Sequence, residues 1–226
     1  MTKDLLKSKQ ILQQNRYKIF NMKIYLLDIN NDMCNAWKEY FEGLYNIEVV
    51  NDNFKHFMDE HLEIDCVVSP ANSFGLMDGG YDKAIIDYFG TGLMNDVKKA
   101  IIYNWHGEQP VGTSLSVPIY NRVINTIYGS KICTLIHTPT MRTPEKISDS
   151  RIIYQCMRTT LIEAKRKQVK HIVIPAFGGA TGGISYNEIA RLMFLAYEQI
   201  VNSPIRPQEI NWKYAMSTAS KVKYGE

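Results

Sequence analysis

The chain has 226 residues, of which 45% are hydrophobic and 22% are charged, and its formal net charge is +3. These values predict one globular domain, with or without a small appendage, and a balance of charge that gives no support to nucleic-acid binding. No stretch reaches 18 apolar residues and no apolar leader segment stands at the start. We therefore expect a soluble, intracellular protein of the cytoplasm that has no membrane partner.

The cysteines and histidines give no signal for a metal site or a cofactor. The four cysteines are widely spaced and form no C-x-x-C pair, which also argues against a disulfide framework. Cys66 and Cys133 lie in apolar runs and are expected to be buried free thiols. The histidines lack ligand spacing, so no metal and no cofactor are expected.

In chain order, residues 1–21 form a polar N-terminal extension, either an appended helix or a disordered arm. Strand and helix patterns then alternate through residues 22–226. Strands are predicted at 23–27, 47–50, 66–68, 114–117, 132–136 and 172–174, and helices at 32–44, 80–104 with a break at 90–92, 148–167 and 184–201. This order predicts an α/β fold with a mixed or parallel sheet covered on both faces. Ligands of such folds bind at the carboxyl ends of the strands.

Two glycine-rich segments carry most of the functional information. Residues 67–82 and residues 172–183 each begin as an apolar run, break into glycine and then enter a helical pattern. Such a loop exposes backbone N–H groups to an anion, and two of them suggest a ligand with more than one phosphate. The alternative is that these glycines only make tight turns. Neither segment contains a P-loop or the dinucleotide-binding G-x-G-x-x-G pattern.

Asn72 and Asp82 are the strongest candidates for chemistry. Asn72 ends a predicted strand and could bind polar ligand atoms, or it could be a turn residue. Asp82 lies in the first turn of the next helix, where it could orient a ribose hydroxyl or a water molecule, or could only stabilise the helix. His137 and Arg142 flank a loop after another strand and are weaker candidates.

These motifs, taken together, resemble the macrodomain family of ADP-ribose-binding modules over about residues 22–226. The carrying segments are Ser69–Ile85, Pro175–Gly183 and Leu135–Pro144. The resemblance is closest to the bacterial and viral subgroup called phage tail protein-like macrodomains. It implies a three-layer α/β/α sandwich with a mixed central sheet and ADP-ribose lying across the strand ends.

The resemblance also implies roles for individual residues. Asn72 would contact the distal ribose and, with Asp82, would be catalytic in a hydrolytic member. Asp52 would accept the adenine amino group, Ser69 stands where the family has its first Asn, and Gly79 and Gly80 would line the distal ribose and phosphate. The diphosphate would lie on a loop made of Gly178, Gly179, Ala180, Thr181, Gly182 and Gly183.

The implied function is binding of ADP-ribose or of an ADP-ribosylated protein or nucleic acid, together with hydrolysis of an ADP-ribosyl linkage. Two alternatives stay open: a reader without catalysis, and a virion or tail-associated structural protein that retains the fold. The departures from the family pattern bear on turnover. They include Ser69 for Asn, Asp78 within the triple glycine and Tyr81 for the usual Val.

Overall fold

A mixed six-stranded sheet forms the centre of the molecule. The computed structural model describes residues 22–126, 129–202, 205 and 207–225, so the predicted extension at residues 1–21 lies outside the described residues. The strands are β1 (Lys23–Asp28), β2 (Ile47–Asn51), β3 (Cys66–Ser69), β4 (Leu115–Thr126), β5 (Gly129–His137) and β6 (His171–Ile174). Their order is β2-β1-β6-β3-β5-β4. All neighbours pair in parallel except β4, which runs antiparallel to β5.

Helices cover both faces of this sheet. They are α1 (Asn31–Phe41), α2 (Phe54–Glu60), α3 (Gly80–Phe89), α4 (Gly92–Trp105), α5 (Arg151–Arg166), α6 (Tyr186–Tyr197) and α7 (Trp212–Tyr224). One core packs α1, α5, α6 and α7 against the sheet, and the other packs α2, α3 and α4. The predicted three-layer α/β/α sandwich is therefore confirmed.

The apolar runs of the central strands follow from this double cover. In β1, Ile24 and Leu26 enter the first core, whereas Tyr25 and Leu27 enter the second. A strand buried on both faces needs apolar side chains at successive positions rather than at alternate ones. The burial of successive residues therefore places β1 in the interior of the sheet.

Asp65 joins three strands at their amino ends. Its side chain is 3% exposed, and it accepts hydrogen bonds from the backbone N–H groups of Lys170 and His171, the latter at 2.8 Å. The Nζ of Lys131 donates to the same carboxylate at 2.7 Å. Because Asp65 immediately precedes β3, these bonds link the starts of β3 and β6 to a side chain on β5.

The structure also adds to what the sequence patterns predicted. The short helix α2 and the C-terminal helix α7 were not predicted, and β4 and β5, predicted at 114–117 and 132–136, are longer than expected. The predicted break between α3 and α4 is confirmed, since α3 ends at Gly90 with φ of 94°. Cys66 and Cys133 are buried free thiols as expected. None of the described helices is long and apolar enough to cross a membrane.

Replacing Asp65 by Ala should lower the free energy of unfolding by about 3 kcal/mol, because two buried N–H groups lose their acceptor and Lys131 loses its partner. Urea unfolding of the wild type and the variant measures this difference. Asp65→Asn keeps an acceptor oxygen and should lose less. Equal stability of the Ala variant and the wild type would contradict the proposed link between the strands.

Candidate functional site

Three loops leave the carboxyl edge of the sheet from neighbouring strands. We call them the first glycine loop (residues 70–79, after β3), the second glycine loop (residues 175–183, after β6) and the third loop (residues 138–150, after β5). The N–H of Thr140 donates to the carbonyl of Ala71 at 3.1 Å, and Asn72 forms a parallel bridge with Met141. The strand pairing thus continues into the loops and fixes the first glycine loop against the third.

The side chain of Asn72 shapes the first glycine loop. Its Oδ1 accepts from the backbone N–H groups of Phe74 and Leu76 at 3.1 and 3.2 Å. Its Nδ2 donates to the carbonyl of Leu76 at 2.8 Å. The side chain is 9% exposed. This is the turn role that the sequence left open, and it leaves one amide hydrogen for any further partner.

Asp82 and Ser69 form a hydrogen-bonded pair at the start of α3. The hydroxyl of Ser69 donates to Oδ1 of Asp82 at 2.6 Å. Ser69 is fully buried, so in this structure the hydroxyl reaches Asp82 and not the surface. Burial, with a smaller contribution from the negative charge of Asp78, raises the pKa of Asp82 to about 7, although the Ser69 hydrogen bond opposes the change.

The second glycine loop presents a run of unpaired backbone donors. Within it, Gly183 donates to the carbonyl of Gly179 at 3.2 Å. The N–H groups of residues 179–182 make no hydrogen bond to any other described residue, and Ala180 and Thr181 are exposed. Successive free N–H groups on a glycine loop have the chemistry that suits an anion.

Gly182 lies where the loop leaves no room for a side chain. A Cβ at this position would lie 2.5 Å from the carbonyl oxygen of Gly178 and 2.6 Å from Cδ1 of Ile147. The packing of the loop itself therefore excludes a side chain at Gly182. A substitution there would change the loop conformation, so a loss of ligand binding in that variant would not show a direct contact with the ligand.

The start of α3 is open. Gly79 caps this helix without a side-chain hydrogen bond. A Cβ at Gly79 or at Gly80 would meet no atom within 4 Å. The space beside Gly79 and Gly80 is therefore free of protein atoms, at the end of the helix where the dipole favours negative charge.

Asp52 follows β2 at the same edge. Its carboxylate accepts from the backbone N–H of Asn53 at 2.7 Å and lies against Nδ1 of His56. The hydrogen bond with His56 is the main reason that the pKa of Asp52 lies below its ordinary value. Asp52 is thus a carboxylate held at the start of α2.

Three further polar side chains lie at this edge of the sheet, and the sequence had marked two of them, His137 and Arg142, only as weaker candidates. The aliphatic part and Nζ of Lys146 lie against Gly183, since a Cβ there would stand 2.7 Å from Nζ. His137 is buried beside Gln109, with 2.8 Å between Nδ1 and Oε1, and burial lowers its pKa to about 4. Arg142 forms a two-point ion pair with Glu108. Only the tertiary structure brings these partners together.

Among the described residues, no group of three or more His, Cys, Asp or Glu side chains is arranged to hold a metal ion.

The stability of the protein should depend on pH through Asp82. Its raised pKa means that the fold favours the protonated carboxyl, so ionisation costs stability as the pH rises from about 4 to about 7. Asp82→Asn keeps an acceptor for Ser69 without the charge. It should gain about 2 kcal/mol relative to the wild type between pH 4 and pH 8, which chemical unfolding at several pH values measures. Parallel pH profiles for the two proteins would contradict this.

Comparison with known proteins agrees with this geometry. Residues 68–193, more than half of the chain, match the Macro domain family model. A protein of Aquifex aeolicus (strain VF5), named only "Uncharacterized protein", is 32% identical over 133 residues, which are 58% of this chain and 72% of that protein.

Two solved structures share the fold. The Oceanobacillus iheyensis macrodomain with ADP is 19% identical with a TM-score of 0.52, over 72% of this chain and 84% of that one. The Trypanosoma brucei macrodomain is 15% identical with a TM-score of 0.50, over 70% of this chain and 62% of that one. The narrower resemblance to the phage tail protein-like subgroup stays a prediction. The chain belongs to the macro domain family.

Proposed function

We propose that this protein binds ADP-ribose, free or attached to a protein or nucleic acid, at the carboxyl edge of its sheet. The observation that carries the proposal is the run of four unpaired N–H groups at residues 179–182, which suits a diphosphate. Family membership supports it, as do the Oceanobacillus iheyensis macrodomain structures with ADP and, for a mutant, with ADPR.

The arrangement of strand ends suits an elongated ligand. Asp52 follows β2, and the first glycine loop follows β3, three strand spacings or about 14 Å away. The second glycine loop leaves from β6, between them. We assign the adenine amino group to Asp52, the diphosphate to the second glycine loop with Gly178 and Gly183 at its ends, and the distal ribose to the region around Gly79 and Gly80.

We further propose that the protein hydrolyses an ADP-ribosyl linkage with Asp82 as general base. A water oxygen would form a bond to the anomeric carbon while the bond to the leaving group breaks. The proton of the water would pass to Asp82, and the leaving group would take up a proton from solvent. Asn72 would act by fixing the loop, and its remaining amide hydrogen would be free for the distal ribose.

The competing function is that of a reader that binds without turnover. It is favoured by the position of Asp82 in the first turn of α3, a usual place for an acidic residue whether or not it has a catalytic role. The two functions share the binding site and differ only in the chemistry at Asp82.

Binding is tested by Gly79→Glu with Gly92→Glu as its matched control. Both glycines are exposed, and a Cβ added at either would meet no atom within 4 Å. Gly92 begins α4, past the far end of α3. Gly79→Glu should weaken ADP-ribose at least tenfold in calorimetry, because the new carboxylate enters the ligand's space, whereas Gly92→Glu should bind as the wild type does. Equal affinities in two folded variants would remove the start of α3 from the site.

Turnover is tested by Asp82→Ala. Loss of a general base should lower the rate of ADP-ribose release by roughly 100-fold or more, while the affinity for ADP-ribose changes little. Asp87→Ala, on the same helix but paired with Lys83 at the surface, is the control and should keep the full rate. A wild type that binds ADP-ribose but releases none from protein, nucleic-acid or 1″-phosphate substrates would leave the reader function in its place.

A further inference from the structure

Ser69 and Asp82 are joined by a hydrogen bond whose donor residue is fully buried at the end of a strand. Ser69 is the last residue of β3, is fully buried and pairs in register with His137 on β5. Its hydroxyl can donate one hydrogen bond, and that bond goes to Oδ1 of Asp82 at 2.6 Å. The rigid sheet thus fixes one oxygen of a carboxylate that belongs to the neighbouring helix.

The second oxygen of Asp82 is in a different situation. Oδ2 makes no hydrogen bond to any other described residue, and it does not belong to the buried side-chain atoms that lack a partner. It therefore keeps some exposure at the start of α3, where Gly79 provides no side-chain cap. A carboxylate anchored through one oxygen presents the other in a single direction.

We propose that Ser69 is a positioning residue that anchors Asp82 through Oδ1 and aims Oδ2 at the space beside the start of α3. The proposal rests on the proposed function for its catalytic meaning. It assigns to Ser69 a part that goes through Asp82 rather than the direct ligand contact expected from the sequence. With Oδ2 fixed, the carboxylate would not have to rotate before it accepts the proton of the attacking water.

Other charged and titratable groups near this end of the sheet could also affect the ionisation of Asp82. Asp78, in the first glycine loop, disfavours a second negative charge nearby. Tyr81, on α3, has a buried hydroxyl without a partner among the described residues, and burial keeps it neutral. His137, on β5, is kept neutral by its burial. Ser69 is therefore the group among these that stabilises the ionised form of Asp82, since its hydrogen bond is the cause that lowers the pKa.

The test is the titration of the Asp82 carboxyl in the ligand-free protein, followed by carbon-13 NMR in the wild type, Ser69→Ala and Ser69→Cys. Both variants should move the midpoint upward by about one pH unit, because the charged form loses a hydroxyl donor. Ser69→Cys leaves no cavity and offers only a weak donor, so a shift shared by both variants reports the loss of the hydroxyl hydrogen bond and not a cavity.

Ser73→Ala is the matched control. Ser73 is a buried serine of the same region whose hydroxyl has no partner in the described part of the chain, so its loss should leave the midpoint unchanged. The pH dependence of hydrolysis should move with the midpoint in Ser69→Ala, while the affinity for ADP-ribose stays within about twofold.

An unchanged midpoint in Ser69→Ala, or a wild-type midpoint in Ser69→Cys, would overturn the proposal. Failure of the proposed function would look different: no turnover in the wild type. In that case the titration still decides whether Ser69 anchors Asp82.

Discussion

The buried carboxylate of Asp65 is the constraint on which the arrangement of the three loops depends. It accepts two backbone N–H groups at the start of β6 and pairs with Lys131 on β5, while its own residue leads into β3. β3 and β6 start together at Asp65 and have four residues each, and Ser69 at the end of β3 pairs in register with His137 at the end of β5. The loops after β3, β5 and β6 therefore emerge side by side and continue to pair, as Asn72 and Met141 do.

Much of this fold could be predicted from apolar runs, because strands buried on both faces and amphipathic helices leave strong patterns. The two helices that were missed were either short or recognisable only from the residues that cap their ends. The helix α2 has seven residues, too few for a clear period. The helix α7 has one buried residue, Val222, but it begins after Asn211, whose side chain accepts from Tyr214, and ends at Gly225 with φ of 82°. Those cap residues were the available signal.

The sequence predicted where the residues of the candidate site lie in the fold, but it did not predict which residues they contact. Sequence motifs placed Asp82 and both glycine loops at one edge, and a strand–loop–helix order is enough for that. They could not give the partners, because these come from distant parts of the chain. Gly182 is constrained by Ile147 in another loop, and the hydroxyl of Ser69 meets Asp82 thirteen positions away. Such pairs depend on how loops pack, which no local pattern encodes.

Asp65 and several buried polar groups at the opposite edge of the sheet differ in their hydrogen-bond partners. At the amino edge, each oxygen of Asp65 has a donor. At the carboxyl edge, the Ser73 hydroxyl, the Tyr81 hydroxyl and Nε2 of His137 are three of the six buried side-chain atoms without a partner among the described residues.

Each such group costs stability, of the order of 1 kcal/mol or more. Asp82, a carboxyl held where burial disfavours its charge, belongs to the same edge. The carboxylate of Asp65 thus stabilises the fold through its donors, whereas the polar groups at the carboxyl edge, which lack partners or favourable charge, offset part of that stability.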